Sequence, residues 1–263
     1  MVDYDLRDLT LSGVRWEITD IPMAMMAATR AATIQGGGTA PGNASARPQG
    51  TTRTQTSIVP PIAPQQPISV ETAVAMAARP GDMAALCRMI SEFNHPLRGG
   101  ATRVVLPHVA PNPNGLIIIT DIPGGEDDAS GLILSGAAGE LLDKMLAAIG
   151  MSRDMVSIVP LVFWRTPGGR TPTDQELDLA RPFVNRIIEM LNPRFILTLG
   201  TLAAARVAGV TLPRGHGMTV MLENGVSVMP IYHPNYLMLK PAAKRDAWIA
   251  LQTVQNLLKT ADK

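Results

Sequence analysis

Two side chains of this 263-residue sequence stand where acid/base or electrostatic chemistry could be done, Asp121 and His233. Asp121 ends the run GLIIIT and opens a Pro- and Gly-rich break, DIPGG, while His233 follows VSVMPIY and opens HPNY. A carboxylate and an imidazole facing each other across a cleft can move a proton or steady opposite developing charges. The competing reading is local: Asp121 caps its own loop and His233 bonds to nearby backbone. Glu126, Asp127 and Asp128 crowd the same Gly-rich loop and would repel phosphate, which makes a nucleotide or other phosphate ligand the weaker expectation there. His108 and His216 read as loop histidines.

The residues after His233 add a second kind of chemistry. Leu237, Met238 and Leu239 form an apolar knuckle, and Lys240, Lys244 and Arg245 follow at the start of a helical stretch. An apolar wedge flanked by cations suits an element that pushes into a base stack while its flanks hold phosphates. A solvated helix start is the alternative, although cations at that end oppose the helix dipole.

These side chains need elements to position them. Unbroken apolar runs predict buried strands at 115–120, 155–159, 195–199 and 226–231, with a short strand at 103–106. Helical periodicity falls at 70–78, 82–93, 137–149, 173–191, 201–208 and 242–258, with Thr173 as N-cap and Glu176 completing a capping box. Strands alternating with helices predict a parallel sheet covered on both faces, with ligands bound at the carboxyl ends of its strands. Residues 1–32 read as a short helical or interaction segment. Residues 33–68, rich in Gly, Pro, Thr, Gln and Ser, read as a flexible linker with too little apolar surface to offset its ordering entropy. The catalytic or binding domain is expected at 69–263, and the first two segments could engage a protein partner.

Composition narrows the classes further. The formal net charge is +1, so no overall basic field demands nucleic acid. Residues 1–150 carry a net −4 and residues 151–263 a net +5, and the basic half permits phosphate contacts. One cysteine, Cys87, excludes an internal disulfide framework and fits a reducing compartment. No stretch approaches the ~20 apolar residues of a membrane span, and the start MVDYDLRDLT is unlike a secretory signal. A cytoplasmic monomer is expected.

Taken jointly, TDIPGGEDDASGLILSGAAGELLDKML, LNPRFILTLGTLAAA, LPRG and HPNYLMLKPAAKRDAW resemble the uracil-DNA glycosylase superfamily. The similarity is closest to its family 4, the iron–sulfur type, and spans roughly residues 87–259. It implies a three-layer αβα sandwich around a four-stranded parallel sheet. It also implies an enzyme that flips uracil, or a related damaged base, out of DNA and hydrolyses its N-glycosidic bond. On this resemblance Asp121 falls where the family has its catalytic Glu, to position water or stabilise the sugar cation. His233 falls on the histidine that steadies charge on the departing base. Ile122, Pro123, Gly124, Leu134 and Pro160 fall in the base pocket. Leu237 lies in the loop that fills the gap left by the flipped base, and Arg214, Lys240, Lys244 and Arg245 fall on the DNA side.

The departures matter equally. Asp for Glu at 121 withdraws the carboxylate by one methylene. Leu134 replaces the aromatic that would stack on the base, and Pro160 stands where an asparagine would read its edge. Trp164 and Ala180 occupy two cluster-cysteine positions, and Glu92 and His95 match the other two. No metal and no iron–sulfur cofactor is therefore expected, and Cys87 reads as a core residue rather than as a ligand beside His95. Loss of stacker, reader and native acid together leaves a second expectation open, a catalytically degenerate glycosylase fold acting as a DNA-binding or scaffolding module.

Overall fold

The computed structural model describes residues 68–261; the expected interaction segment at 1–32 and all but the last residue of the expected linker at 33–68 lie outside them. The described chain opens with two helices, α1 (Val70–Ala77) and α2 (Met83–Glu92). Ser69 and Asp82 cap them by accepting the amides of Thr72 and Ala85. Strand β1 (Leu116–Thr120) leads through the Gly-rich loop into a short helix, α3 (Gly125–Ser130), and then α4 (Gly136–Ala148). There follow β2 (Ser157–Pro160), α5 (Asp174–Leu191), β3 (Phe195–Leu199), α6 (Thr201–Ala208), β4 (Val220–Met221) and β5 (Ser227–Ile231). The chain closes with α7 (Pro234–Leu239), a 3₁₀ turn at Pro241–Ala243, and α8 (Lys244–Ala261). No described helix is long and apolar enough to cross a membrane.

The sheet order is β2-β1-β3-β5-β4, with the first four strands parallel. The expected four-stranded parallel sheet is present, with one addition: β4 pairs antiparallel against β5. Its two residues are too few to leave a periodic signal. The expected strand at 103–106 does not form. The amides of Thr102 and Arg103 are spent on the Asp128 carboxylate, and only Val105 reaches across, donating to the Phe163 carbonyl at 2.8 Å. Three residues after Val105, His108 makes a single antiparallel bridge to Ile158.

Every residue of β1, β2 and β3 is buried, as continuous apolar runs require when both faces are covered. Ile117, Ile119, Val159, Ile196 and Val228 pack with Leu86, Ile90, Leu177, Phe183 and Ile187 of α2 and α5. Strand alternation turns Ile118, Ile158, Leu197 and Met229 to the opposite face, on the side of α4 and α8. Those two helices meet there, where Gln255 donates to the Ile149 carbonyl at 2.8 Å. The result is a three-layer α/β sandwich.

Strand order also fixes where a site can lie. From β1 the chain crosses outward to β2, and from β3 it crosses the other way to β5. The carboxyl ends of β1 and β3 therefore flank the topological switch point, the crevice where open α/β sheets bind ligands. Asp121 is the residue after β1, and Gly200 is the residue after β3.

Candidate active site

Asp121 spans that crevice. Its Oδ1 accepts the Ala203 amide at 2.7 Å, so a residue at the tip of β1 caps the N-terminus of α6. Burial pushes its carboxyl up to about 6, partly offset by the amides of Ala203, Leu202 and Thr201. Such donors favour the charged form and desolvation disfavours it; the balance leaves a carboxylate at neutral pH. The close approach explains the neighbouring residue. Gly200 has φ +107°, and a Cβ there would overlap the Asp121 carboxylate.

His233 stands at the same edge as N-cap of α7, its Nδ1 accepting the Asn235 amide at 3.1 Å. An acceptor at Nδ1 places the proton of the neutral ring on Nε2. Burial pulls its pKa down to about 4, against the pull of the Asp127 carboxylate. The ring is therefore neutral at pH 7, with an N–H left to donate. A neutral imidazole held this way can stabilise a developing anion without first losing a proton.

Three of the base-pocket candidates lie in the loop directly after Asp121. Ile122 is half-buried, Pro123 is buried and Gly124 is exposed at the start of α3. Asp127 shapes this loop: its Oδ2 accepts the Gly124 amide at 2.9 Å, and its Oδ1 accepts both the amide and the hydroxyl of Ser135. Leu134 is buried and sits at φ 47°, a left-handed conformation that costs a non-glycine residue ~1–2 kcal/mol. Arg153 holds it there, donating to the carbonyls of Ile133 and Leu134 at 3.1 and 2.7 Å while its Nε engages Asp143. Gly139 completes the clamp, because a Cβ at that position would overlap the Leu134 carbonyl. Pro160 ends β2 opposite Thr120, on an outer strand where a missing amide is tolerated. Sequence reasoning missed Arg153 and Asp127 as organisers of this pocket. A lone Arg 19 residues beyond the loop it holds leaves no spacing signal.

One expectation about the DNA side is corrected. Leu237 is only 1 % exposed and forms part of the core, whereas Leu239 is 78 % exposed. The knuckle is helical, and two positions along a helix turn a side chain ~200°, to the opposite face. Leu239 is the residue that projects. Arg214, Lys240 and Arg245 are exposed and Lys244 is half-buried.

The family's iron–sulfur cluster does not fit the residues present. This sequence holds one cysteine, too few for a thiolate-held cluster, and Cys87 is half-buried on α2. Trp164 is fully buried, and its ring stacks on His95 at 4.6 Å and 8°. Phe93 lies against both, and against Phe183 at 4.8 Å. Ala180 is buried and Glu92 is exposed, so Phe93, not Glu92, faces this aromatic core. His95 is bonded at both nitrogens, Nδ1 accepting the Leu97 amide and Nε2 donating to the Glu176 carbonyl at 2.9 Å.

Comparison with known proteins gives the family. The Uracil DNA glycosylase superfamily pattern matches residues 106–252. A type-4 uracil-DNA glycosylase of Archaeoglobus fulgidus is 30% identical over 150 residues, covering 54% of this chain and 75% of that protein. One from Thermotoga maritima is 33% identical over 126 residues (47% and 66%), and one from Pyrobaculum aerophilum 31% over 139 (49% and 71%). The chain belongs to the uracil-DNA glycosylase superfamily, and among that superfamily's types it is similar to type 4.

Proposed function

We propose that this protein is a diverged DNA glycosylase, which extrudes a damaged base, uracil or a relative, and hydrolyses its N-glycosidic bond in base excision repair. The observation that carries the reading is His233, a half-buried, neutral imidazole whose Nε2–H is unspent among the described residues. In the reaction that N–H steadies the negative charge arriving on the departing base. Asp121, ionised above about pH 6, steadies the sugar cation or orients the attacking water. Leu239, in place of Leu237, fills the gap in the stack, with Lys240, Lys244, Arg245 and Arg214 on the flanking phosphates. Base flipping costs a few kcal/mol, which such contacts offset. Leu134 and Pro160 supply neither a stacking ring nor an amide, so the pocket reads its base by shape rather than by the family's hydrogen bonds. The single cysteine supports activity without an iron–sulfur cluster, and a reducing, cytoplasmic setting.

One observation favours a second reading. The Asp121 carboxylate is engaged by the N-terminus of α6, which suits a structural cap in a catalytically degenerate, DNA-binding module. Labelled oligonucleotides carrying uracil, hypoxanthine or xanthine, single- and double-stranded, separate the two when scored for alkali-labile abasic sites. Release that disappears in Asp121→Asn establishes the enzyme. Binding without release from any substrate, at excess protein, establishes the module.

A further inference from the structure

Beside the candidate site the structure builds a ladder of three rings that the chemistry described above leaves unused. His216 stacks on Tyr232 at 4.1 Å and 16°, and Tyr232 lies against Tyr236 at 4.8 Å and 30°. The inner rung is fastened by the Tyr232 amide, which donates to His216 Nδ1 at 3.2 Å. The outer rung is open, with Tyr236 43 % exposed. Its backbone amide donates to the His233 carbonyl within the first turn of α7. Within α7, Tyr236 and Leu239 are neighbours three residues apart, and His233 is the N-cap from which that turn starts. Lys240, four residues after Tyr236, continues that side and is exposed. An exposed tyrosine whose inner face is backed by two further rings is a rigid stacking surface, and a cation nearby suits a strand backbone.

We propose that Tyr236 is a nucleobase platform, which takes the base adjacent to the extruded one and makes single-stranded DNA the preferred substrate of this protein. This rests on the reading of the chain as a DNA glycosylase and names its substrate class. A paired base has both faces covered by its neighbours, whereas an unpaired one can lay a face on an aromatic ring, independently of sequence. Tyr236 lies between the imidazole that meets the departing base and the leucine that fills the gap, so the base it takes is the next along the strand.

The test is fluorescence anisotropy with a labelled oligonucleotide containing an uncleavable tetrahydrofuran abasic analogue, single-stranded and in a duplex, against wild type, Tyr236→Phe and Tyr236→Ala. Tyr236→Ala is expected to weaken single-strand binding about tenfold and duplex binding less than twofold. Tyr236→Phe, which keeps the ring, is expected to bind both within about twofold of wild type, as stacking requires. Equal single-strand affinity for Tyr236→Ala and wild type overturns the platform while leaving the glycosylase reading intact. Parallel loss on single strand and duplex also overturns it, since that marks a general contact. Wild-type protein that binds neither oligonucleotide at low salt overturns both. Circular dichroism of the two variants confirms that the fold is intact.

Discussion

Two histidines of this molecule, His95 fully buried and His233 half-buried, have been treated oppositely by their surroundings. His95 lies in the aromatic core, stacked on Trp164, with both ring nitrogens bonded to backbone. His233 lies at the carboxyl edge of the sheet with one nitrogen bonded and the other left over. Burial lowers the pKa of both. A displaced pKa alone therefore does not mark a functional group; what sets His233 apart is its place at the sheet edge together with its unspent donor. The same contrast holds for the carboxylates. Glu176, in its bidentate pair with Arg170 and its capping box, is held down at about 2, while Asp121 is pushed up to about 6 at the switch point.

The contrast is sharpest for base release. His233→Ala is expected to lower the single-turnover rate roughly 100- to 1000-fold, the range for losing one preorganised donor to a developing anion, with little change in the melting curve. His95→Ala is expected to do the reverse: lower the melting temperature while the rate per folded molecule holds. If the two variants exchange effects, the distinction drawn here is wrong. Trp164→Ala extends the test on the core side. Emptying that fully buried position should cost about 3–5 kcal/mol in urea unfolding and leave base release untouched.

The pH profile tests the edge from another direction. Only the ionised Asp121 can serve as carboxylate, so the rate should climb as pH rises through about 6 and level off above it. His233, neutral down to about 4, adds no limb in that range. In Asp121→Asn any residual rate should be flat with pH; a surviving limb near 6 would assign it to another group. The smallest effect is on Glu176. Its folded pKa lies below the ordinary 4.5, so its contribution is complete above that pH and is lost as pH falls toward 2. The gap in urea midpoint between wild type and Glu176→Gln should narrow on going from pH 7 to pH 3.

Much of this was readable from residue order. The apolar run at 195–199 and the helical periodicity at 201–208 match the observed strand and helix to the residue, and the Thr173/Glu176 capping box forms as read. The motif residues Asp121 and His233 do reach one edge. What escaped had no local signature. The strand expected at 103–106 does not form because the Asp128 side chain, 26 and 25 residues away, takes the amides of Thr102 and Arg103 at its start. The α3 turn reads as loop in the sequence because Gly124 and Gly125 argue against helix, and the Asp127 carboxylate overrides them through its bond to the Gly124 amide. Leu237 and Leu239 belong to one apolar knuckle in the sequence, and the six-residue helix around them turns them to opposite faces. Asp121 as a cap on α6 depends on strand order, which spacing alone does not encode.

The two short pieces beside the outermost parallel strands have a consequence of their own. β4 lies along β5, and the His108 bridge lies along β2, so the sheet presents no long row of unused backbone donors and acceptors on either flank. A peptide seeking to join by adding a strand finds no template there. Any contact with another macromolecule on those flanks is made through side chains and not by lengthening the sheet itself.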